Sequence, residues 1–162
     1  MSPAAGPTPA VTVAARAGVD FDLHRYDHDP DEGAYGEEAA DELGVDPDRV
    51  YKTLVATLDG RPVVAVVPVS GELDLKALAA ALGGRKAAMA HPSEAERATG
   101  YVVGGISPIG QKRKLPTVID RSAERWPTVY VSGGRRGLEI ELAPADLANL
   151  CGASFAAVGR PK

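Results

Sequence analysis

Tyr51-Lys52-Thr53-Leu54-Val55-Ala56-Thr57-Leu58, followed by Asp59-Gly60 and then by Arg61-Pro62-Val63-Val64-Ala65-Val66-Val67-Pro68-Val69, is the stretch from which the rest of the chain can be arranged. Asp-Gly between two runs rich in β-branched residues signals a tight hairpin, because both turn residues need positive φ, which Gly adopts freely and Asp tolerates. Val63 to Val67 is apolar at every position, where a strand with one face in water would alternate. That run predicts a strand buried on both faces, so other elements must cover the hairpin on two sides.

Outward from the hairpin, the signals fall into short helices and strands. On its N-terminal side, Asp46-Pro47-Asp48 is a turn, and Glu37 to Leu43, ended by Gly44, reads as a helix. Phe21 to Tyr26 reads as a strand. Thr8-Pro9 reads as an N-cap with Pro at the first helical position, and Gly18 stops that helix. Residues 1–8, with their Pro and Gly, read as a disordered leader to a domain over 9–160. On the C-terminal side, Leu75, Leu78, Ala79 and Leu82 recur at helical spacing within Leu73 to Leu82. A short helix starts near Pro92 and ends before Gly100. Tyr101 to Val103, Leu115 to Ile119, Thr128 to Val131, Leu138 to Leu142 and Phe155 to Val158 read as strands. Pro144 to Cys151, closed by Gly152, reads as the last helix. With no repeat and no internal linker, the prediction is a single compact α+β domain: a mixed, mostly antiparallel sheet or partial barrel with flanking helices.

Composition fits such a domain: of 162 residues, 44% are hydrophobic and 25% charged, and no apolar run approaches the ~20 residues of a membrane span. The N-terminus lacks the basic start and apolar stretch of a secretory signal, and the single cysteine, Cys151, excludes an internal disulfide framework. These absences point to the cytoplasm. The net charge of −4 argues against a nucleic-acid partner, but its distribution argues the other way. Residues 1–50 hold 12 acidic and 3 basic side chains, a net of −9, whereas residues 97–136 hold 8 basic and 2 acidic, a net of +6. Such asymmetry can draw a polyanion to one face, although it also suits a solvated surface with uneven charge.

Three features carry candidate chemistry. On an extended Tyr51 to Leu58, Lys52 shares a face with Leu54, Ala56 and Leu58. A lysine opening an apolar face either snorkels at the strand end or lines a cleft, where it can hold a carbonyl oxygen or a phosphate. Gly104-Gly105-Ile106-Ser107-Pro108-Ile109-Gly110 is either a tight structural loop or one whose backbone N–H groups approach a ligand. It is not a Walker A sequence, since no Gly-Lys-Ser/Thr closes it. Lys112-Arg113-Lys114 follows at once. Ser132-Gly133-Gly134-Arg135-Arg136-Gly137 is either a long hairpin loop or a place where Ser132 meets a ligand and the arginines hold phosphates. Glu139 and Glu141 alternate with Leu138, Ile140 and Leu142, the pattern of a solvated strand face. His24 and His28 are four apart on a strand and its exit with no third ligand evident, so no metal is expected, and nothing calls for a cofactor. His91, before Pro92, reads as a loop residue. Cys151 shares a helix face with Leu147 and Leu150 and reads as core.

Together, and in this order, these stretches resemble a known family. Tyr26-x-His28-Asp29-Pro30, Val50-Tyr51-Lys52-Thr53-Leu54, Leu73-Asp74-Leu75-Lys76, Thr99-Gly100-Tyr101-x-Val103-Gly104-Gly105-Ile106-Ser107-Pro108-Ile109-Gly110-Gln111-Lys112 and Tyr130-Val131-Ser132-Gly133-Gly134-x-Arg136-Gly137-Leu138 look like the YbaK-type Cys-tRNA(Pro) deacylases. The resemblance spans roughly residues 9–160, and the long glycine-loop motif is its most specific part. It implies a domain also found as the editing insertion of bacterial prolyl-tRNA synthetases, with tRNA as partner and hydrolysis of the ester joining a wrong amino acid to the tRNA 3′ end. It implies that Lys52 is the essential lysine and that Tyr26, Tyr35, Ser132, Gly133 and Gly104-Gly105-Ile106-Ser107 form the substrate pocket. Lys112, Arg113, Lys114, Arg135 and Arg136 are the expected tRNA contacts. The family aspartate falls at Glu139, one methylene longer, and Tyr35 stands where Phe is more usual. It further implies that the substrate's own thiol attacks its ester carbonyl. Two other readings remain beside it: a deacylase for Ala- or Ser-tRNA, and a non-catalytic module binding tRNA ends or a synthetase.

Overall fold

The computed structural model describes residues 6–28 and 35–162. The hairpin forms as expected. β2, Tyr51–Leu58, and β3, Arg61–Pro68, pair antiparallel with Leu58 opposite Arg61, and Asp59 (φ 51°) and Gly60 (φ 86°) make the turn. Before it come α1 (Pro9–Ala17), β1 (Phe21–Arg25) and α2 (Tyr35–Leu43). After it come β4 (Gly71–Leu73), α3 (Leu75–Ala81), β5 (Ala87–Met89), α4 (Pro92–Thr99) and β6 (Thr117–Asp120). A 3-10 helix, Arg121–Arg125, leads to β7 (Val129–Ser132), β8 (Leu138–Leu142), α5 (Pro144–Cys151), β9 (Ser154–Ala156) and β10 (Gly159–Pro161).

β3 lies at the centre of a five-stranded mixed sheet, β5-β2-β3-β6-β9, antiparallel on its β2 side and parallel on its β6 side. Its alternating side chains enter two different cores. Val64 and Val66 join the larger one with Ile119, Ile140 and Leu147, while Val63, Ala65 and Val67 join the other with Leu78 and Val158. Burial of all five residues explains the unbroken apolar run. A second, antiparallel sheet, β1-β8-β7, meets the first at an isolated parallel bridge between Val50 and Tyr130, where the Tyr130 N–H donates to the Arg49 carbonyl (3.1 Å). β4 and β10 form a third, two-stranded sheet.

The sheets leave an opening along β2. β5 pairs only with Ala56 to Leu58, ending with the Ala90 N–H on the Val55 carbonyl (3.1 Å). On the same edge β7 is reached only at Val50. Residues 51–54 therefore have no strand partner on that side among the described residues.

Several sequence expectations shift. Residues 101–103 form no strand; Tyr101 instead pins the following loop, its hydroxyl donating to the Ile109 carbonyl (2.6 Å). Pro116 delays the next strand to Thr117. β4, β5 and the 3-10 helix are too short to carry a periodic signal, and the strand expected over 155–158 is instead β9, ending at Ala156, with β10 following at Gly159. The expected leader also ends earlier: Thr8 is buried, its Oγ1 accepts the Val11 N–H (3.2 Å) and donates to the Gly133 carbonyl, and the Gly6 carbonyl accepts from Arg135. Residues 1–5 lie outside the described residues.

Candidate functional site

A cavity of about 430 Å³ opens where β2 lacks a neighbour, within the size range of small-ligand sites. Residues 51–55 form its floor, Tyr35 and Gly36 one wall, Gly104 and Ile106 another, and Tyr26, Ser132 and Glu139 the end.

Lys52 is half-buried on the face it shares with Leu54, Ala56 and Leu58. The residue lines the cavity, and its Nζ donates to the Gly71 carbonyl (2.8 Å). Burial lowers its pKa below the ordinary 10.5, opposed by the negative charge of Glu72. The acceptor is held firmly. Gly71 pairs with Pro161 of β10, and a Cβ at Gly71 would stand 2.7 Å from the Arg160 carbonyl oxygen. Arg160 Nε in turn pairs with Glu72 (3.0 Å).

Glu139 overturns the expectation of a solvated face. β8 is the middle strand of its sheet, so Glu139 sits between His24 and Ser132 and is only 6% exposed. Burial pushes its carboxyl up to about 8, and it has no hydrogen-bond partner among the described residues. Tyr26 beside it is pushed up to about 12, first by burial and then by the Glu139 charge, so it stays a phenol. Glu141, by contrast, is held below its ordinary value: hydrogen bonds from Thr128 and His24 outweigh partial burial.

Gly104 (φ 97°) brings its backbone to the cavity, and a Cβ there would meet the Tyr35 ring at 3.5 Å. Arg136 lies over that ring, 4.5 Å from its centroid, with Nη2 3.2 Å from Glu38. This arginine, expected as a phosphate contact, is thus held against the α2 wall. Ser132 is partly exposed on the cavity, its Oγ accepting the Gly134 N–H (3.1 Å).

Other expected residues stand behind the wall. Ser107 is fully buried, its Oγ accepting the Ile109 N–H (3.2 Å). The Gly105 N–H donates to the Val102 carbonyl (2.9 Å), and a Cβ there would come 2.6 Å from Arg135 Cα. The Gly133 N–H donates to the Leu138 carbonyl (2.8 Å). Lys112, Arg113 and Lys114 are exposed, and Arg135 Nη1 donates to the Gly6 carbonyl (2.7 Å). His24 Nε2 pairs with Glu141 Oε1 (2.9 Å), and His91 is the N-cap of α4 rather than a loop residue, accepting the Ser93 N–H (3.4 Å). Cys151 is core, its thiol pushed up to about 12 by burial. No three His, Cys, Asp or Glu side chains are grouped to hold a metal among the described residues, and no helix there is long and apolar enough to cross a membrane.

Sequence reasoning missed Thr53. Its Oγ1 is buried with no hydrogen-bond partner, and the same open β2 edge exposes its backbone groups to the cavity. A threonine in a strand carries no signal of this; only the early end of β5 reveals it. The arrangement thus offers an ammonium donor, spare hydroxyl and backbone donors, and a carboxyl that burial pushes up to about 8. It suits a reaction that develops negative charge on an oxygen and moves a proton.

Comparison with known proteins agrees with that chemistry. Residues 30–150 match the family model of the aminoacyl-tRNA editing domain. The chain is 44% identical over 123 residues to EbsC of Enterococcus faecalis, a candidate Cys-tRNA(Pro)/Cys-tRNA(Cys) deacylase, covering 75% of each chain. It is 32% identical over 100 residues to the multifunctional Ser/Thr-tRNA deacylase ProXp-y of Escherichia coli K12, covering 59% of this chain and 60% of that one. A solved structure of a candidate trans-editing enzyme for prolyl-tRNA synthetase superposes with a TM-score of 0.77 at 24% identity, covering 93% of this chain and 92% of that one.

Proposed function

The chain belongs to the aminoacyl-tRNA editing domain family, and on that footing we propose that it hydrolyses Cys-tRNA(Pro) in trans, clearing errors of prolyl-tRNA synthetase in the cytoplasm. The observation that carries the chemistry is Lys52 held by Gly71 at the unpaired edge of β2, in a cavity that also holds the buried Glu139. The amino acid enters the cavity with its ester carbonyl near Lys52. The ammonium, with the Gly104 backbone beside it, stabilises the oxyanion. Tyr26, Tyr35 and Ser132 orient the amino acid.

No protein nucleophile is needed. The substrate thiol attacks its own ester carbonyl, an intramolecular step with a large effective molarity once the pocket orients it. The S–C bond forms, the ester C–O bond breaks, and the ribose oxygen leaves with a proton. Water then opens the cyclic thioester to free cysteine. A carboxyl titrating near 8 suits the proton transfer: Glu139 as carboxylate takes the thiol proton, and as acid returns it to the ribose oxygen.

A second reading keeps the site and changes the amino acid, favoured by the similarity to a Ser/Thr-tRNA deacylase. One assay separates them: deacylation of Cys-, Ser- and Ala-charged tRNA at saturating enzyme. The thiol mechanism predicts rapid loss of Cys, much slower loss of Ser and almost none of Ala. Comparable rates for Cys and Ser would replace the thiol with a bound water.

A further inference from the structure

The large hydrophobic side chains left exposed among the described residues are three: Val102 (72%), Met89 (49%) and Val103 (41%). Met89, at the end of β5, and Val103 both line the cavity, and Val102 precedes Val103 on the loop after α4. Their exposure is not looseness. The loop is closed by the Gly105 N–H on the Val102 carbonyl (2.9 Å), and the Val103 N–H is held by Glu96 Oε2 (2.8 Å). An apolar lip held rigid in water costs solvation free energy, and it marks a surface that something covers.

Resting on the deacylase reading, we propose that this lip is the subsite for the terminal nucleobase of the substrate. The amino acid in the cavity is esterified to a ribose, so the base attached to that ribose is delivered to the mouth whenever the site is filled. A base offers a flat apolar face, which exposed valine and methionine side chains cover well. Its phosphates need cations, and these flank the lip: Arg97 is exposed on α4, and the Lys112 N–H on the Thr99 carbonyl (2.8 Å) ties the exposed Lys112-Arg113-Lys114 triplet to the start of the loop. Three side chains, two of them valines, present far less than the ~800 Å² per partner of a standard protein interface, which disfavours a protein as the occupant.

Two short oligonucleotides test this, one ending in CCA and one in CC followed by an abasic ribose, each carrying cysteine through a non-hydrolysable amide. The wild-type protein should bind the first roughly tenfold tighter by calorimetry, in line with base-stacking contributions. Val102→Ser with Met89→Gln should bring the ratio near one, and Val102→Trp should raise it. Equal binding of the two oligonucleotides by the wild type would overturn the proposal. So would lip variants that leave the ratio intact but change the sedimentation coefficient, since the lip would then face a second copy. If neither oligonucleotide binds and Cys-tRNA is not deacylated, the functional reading fails and the subsite with it.

Discussion

Glu139→Gln is the sharpest probe of the site, because it should change the pH dependence of stability and the activity independently. The folded protein holds the Glu139 proton up to about pH 8, whereas the unfolded chain releases it near 4.5. Between those values the unfolded state binds one proton fewer, so stability falls as pH rises, by about 1.4 kcal/mol per pH unit. The contribution of the protonated carboxyl is complete below about pH 4.5 and gone above about pH 8. At pH 7 the accumulated loss is about 3 kcal/mol. Gln cannot ionise, so it removes this slope while keeping the shape. Its amide brings unsatisfied donors that cost about 1–3 kcal/mol, so the absolute difference at one pH decides little. The slope decides. Urea unfolding of both proteins from pH 5 to 8.5 should show the variant gaining on the wild type by about 1.4 kcal/mol per unit, levelling near pH 8. In the same variant, deacylation of Cys-tRNA(Pro) should fall by about 10²–10⁴-fold, the usual worth of acid–base catalysis. Parallel stability curves would refute the buried, protonated carboxyl; full activity would refute its role in proton transfer.

Lys52→Ala should lose about 10²–10³-fold in kcat with the fold intact by circular dichroism, and Lys52→Arg should rescue poorly, because a planar fork does not replace a compact ammonium. The wild-type rate should rise toward pH 8 as Glu139 ionises and fall at higher pH as Lys52 loses its proton, below the lysine's ordinary value; a flat profile across that range would remove both groups from the chemistry. Cys151→Ala should keep its activity and lose about 1 kcal/mol in thermal unfolding; an inactive but folded variant would restore a protein nucleophile. Reversing Lys112, Arg113 and Lys114 to Glu should weaken tRNA binding and flatten its salt dependence more than reversing Arg16 and Arg61, as read by filter binding across a salt series; equal effects would make the triplet a solvated face.

The hairpin, its neighbouring helices and the fold class were legible because each rests on a local rule: Asp-Gly for the turn, unbroken valines for double burial, Thr8 and Pro92 for helix starts, and apolar spacing for α3. Lys52 was legible as a choice between snorkelling and cleft, but its acceptor, the Gly71 carbonyl 19 residues away, was not. Glu139 was not legible. Its alternation with leucines and isoleucine is the same whether its strand is an edge or the middle of a sheet, and only the β1-β8-β7 order buries it. The packing of Ser107 and Arg136 was hidden for a related reason: polar residues in a glycine-rich loop read alike whether they face a ligand or staple the loop from behind. Thr53 depends on where another strand stops, which no local pattern records.

The clamp of β10 on β4 also bears on how the molecule comes to be active. Arg160 and Glu72 are 88 residues apart, and Thr8 and Gly133 are 125 apart, so the walls of the cavity close through contacts of very long sequence separation. Such contacts are entropically costly to form early and come late in folding. A nascent chain can build the hairpin as soon as residue 68 has emerged from the ribosome, but the carbonyl that aims Lys52 is not locked until Pro161 has followed. Catalytic competence should therefore lag behind secondary structure during refolding, and a protease that trims β10 from the folded protein should silence the site while leaving the sheet intact.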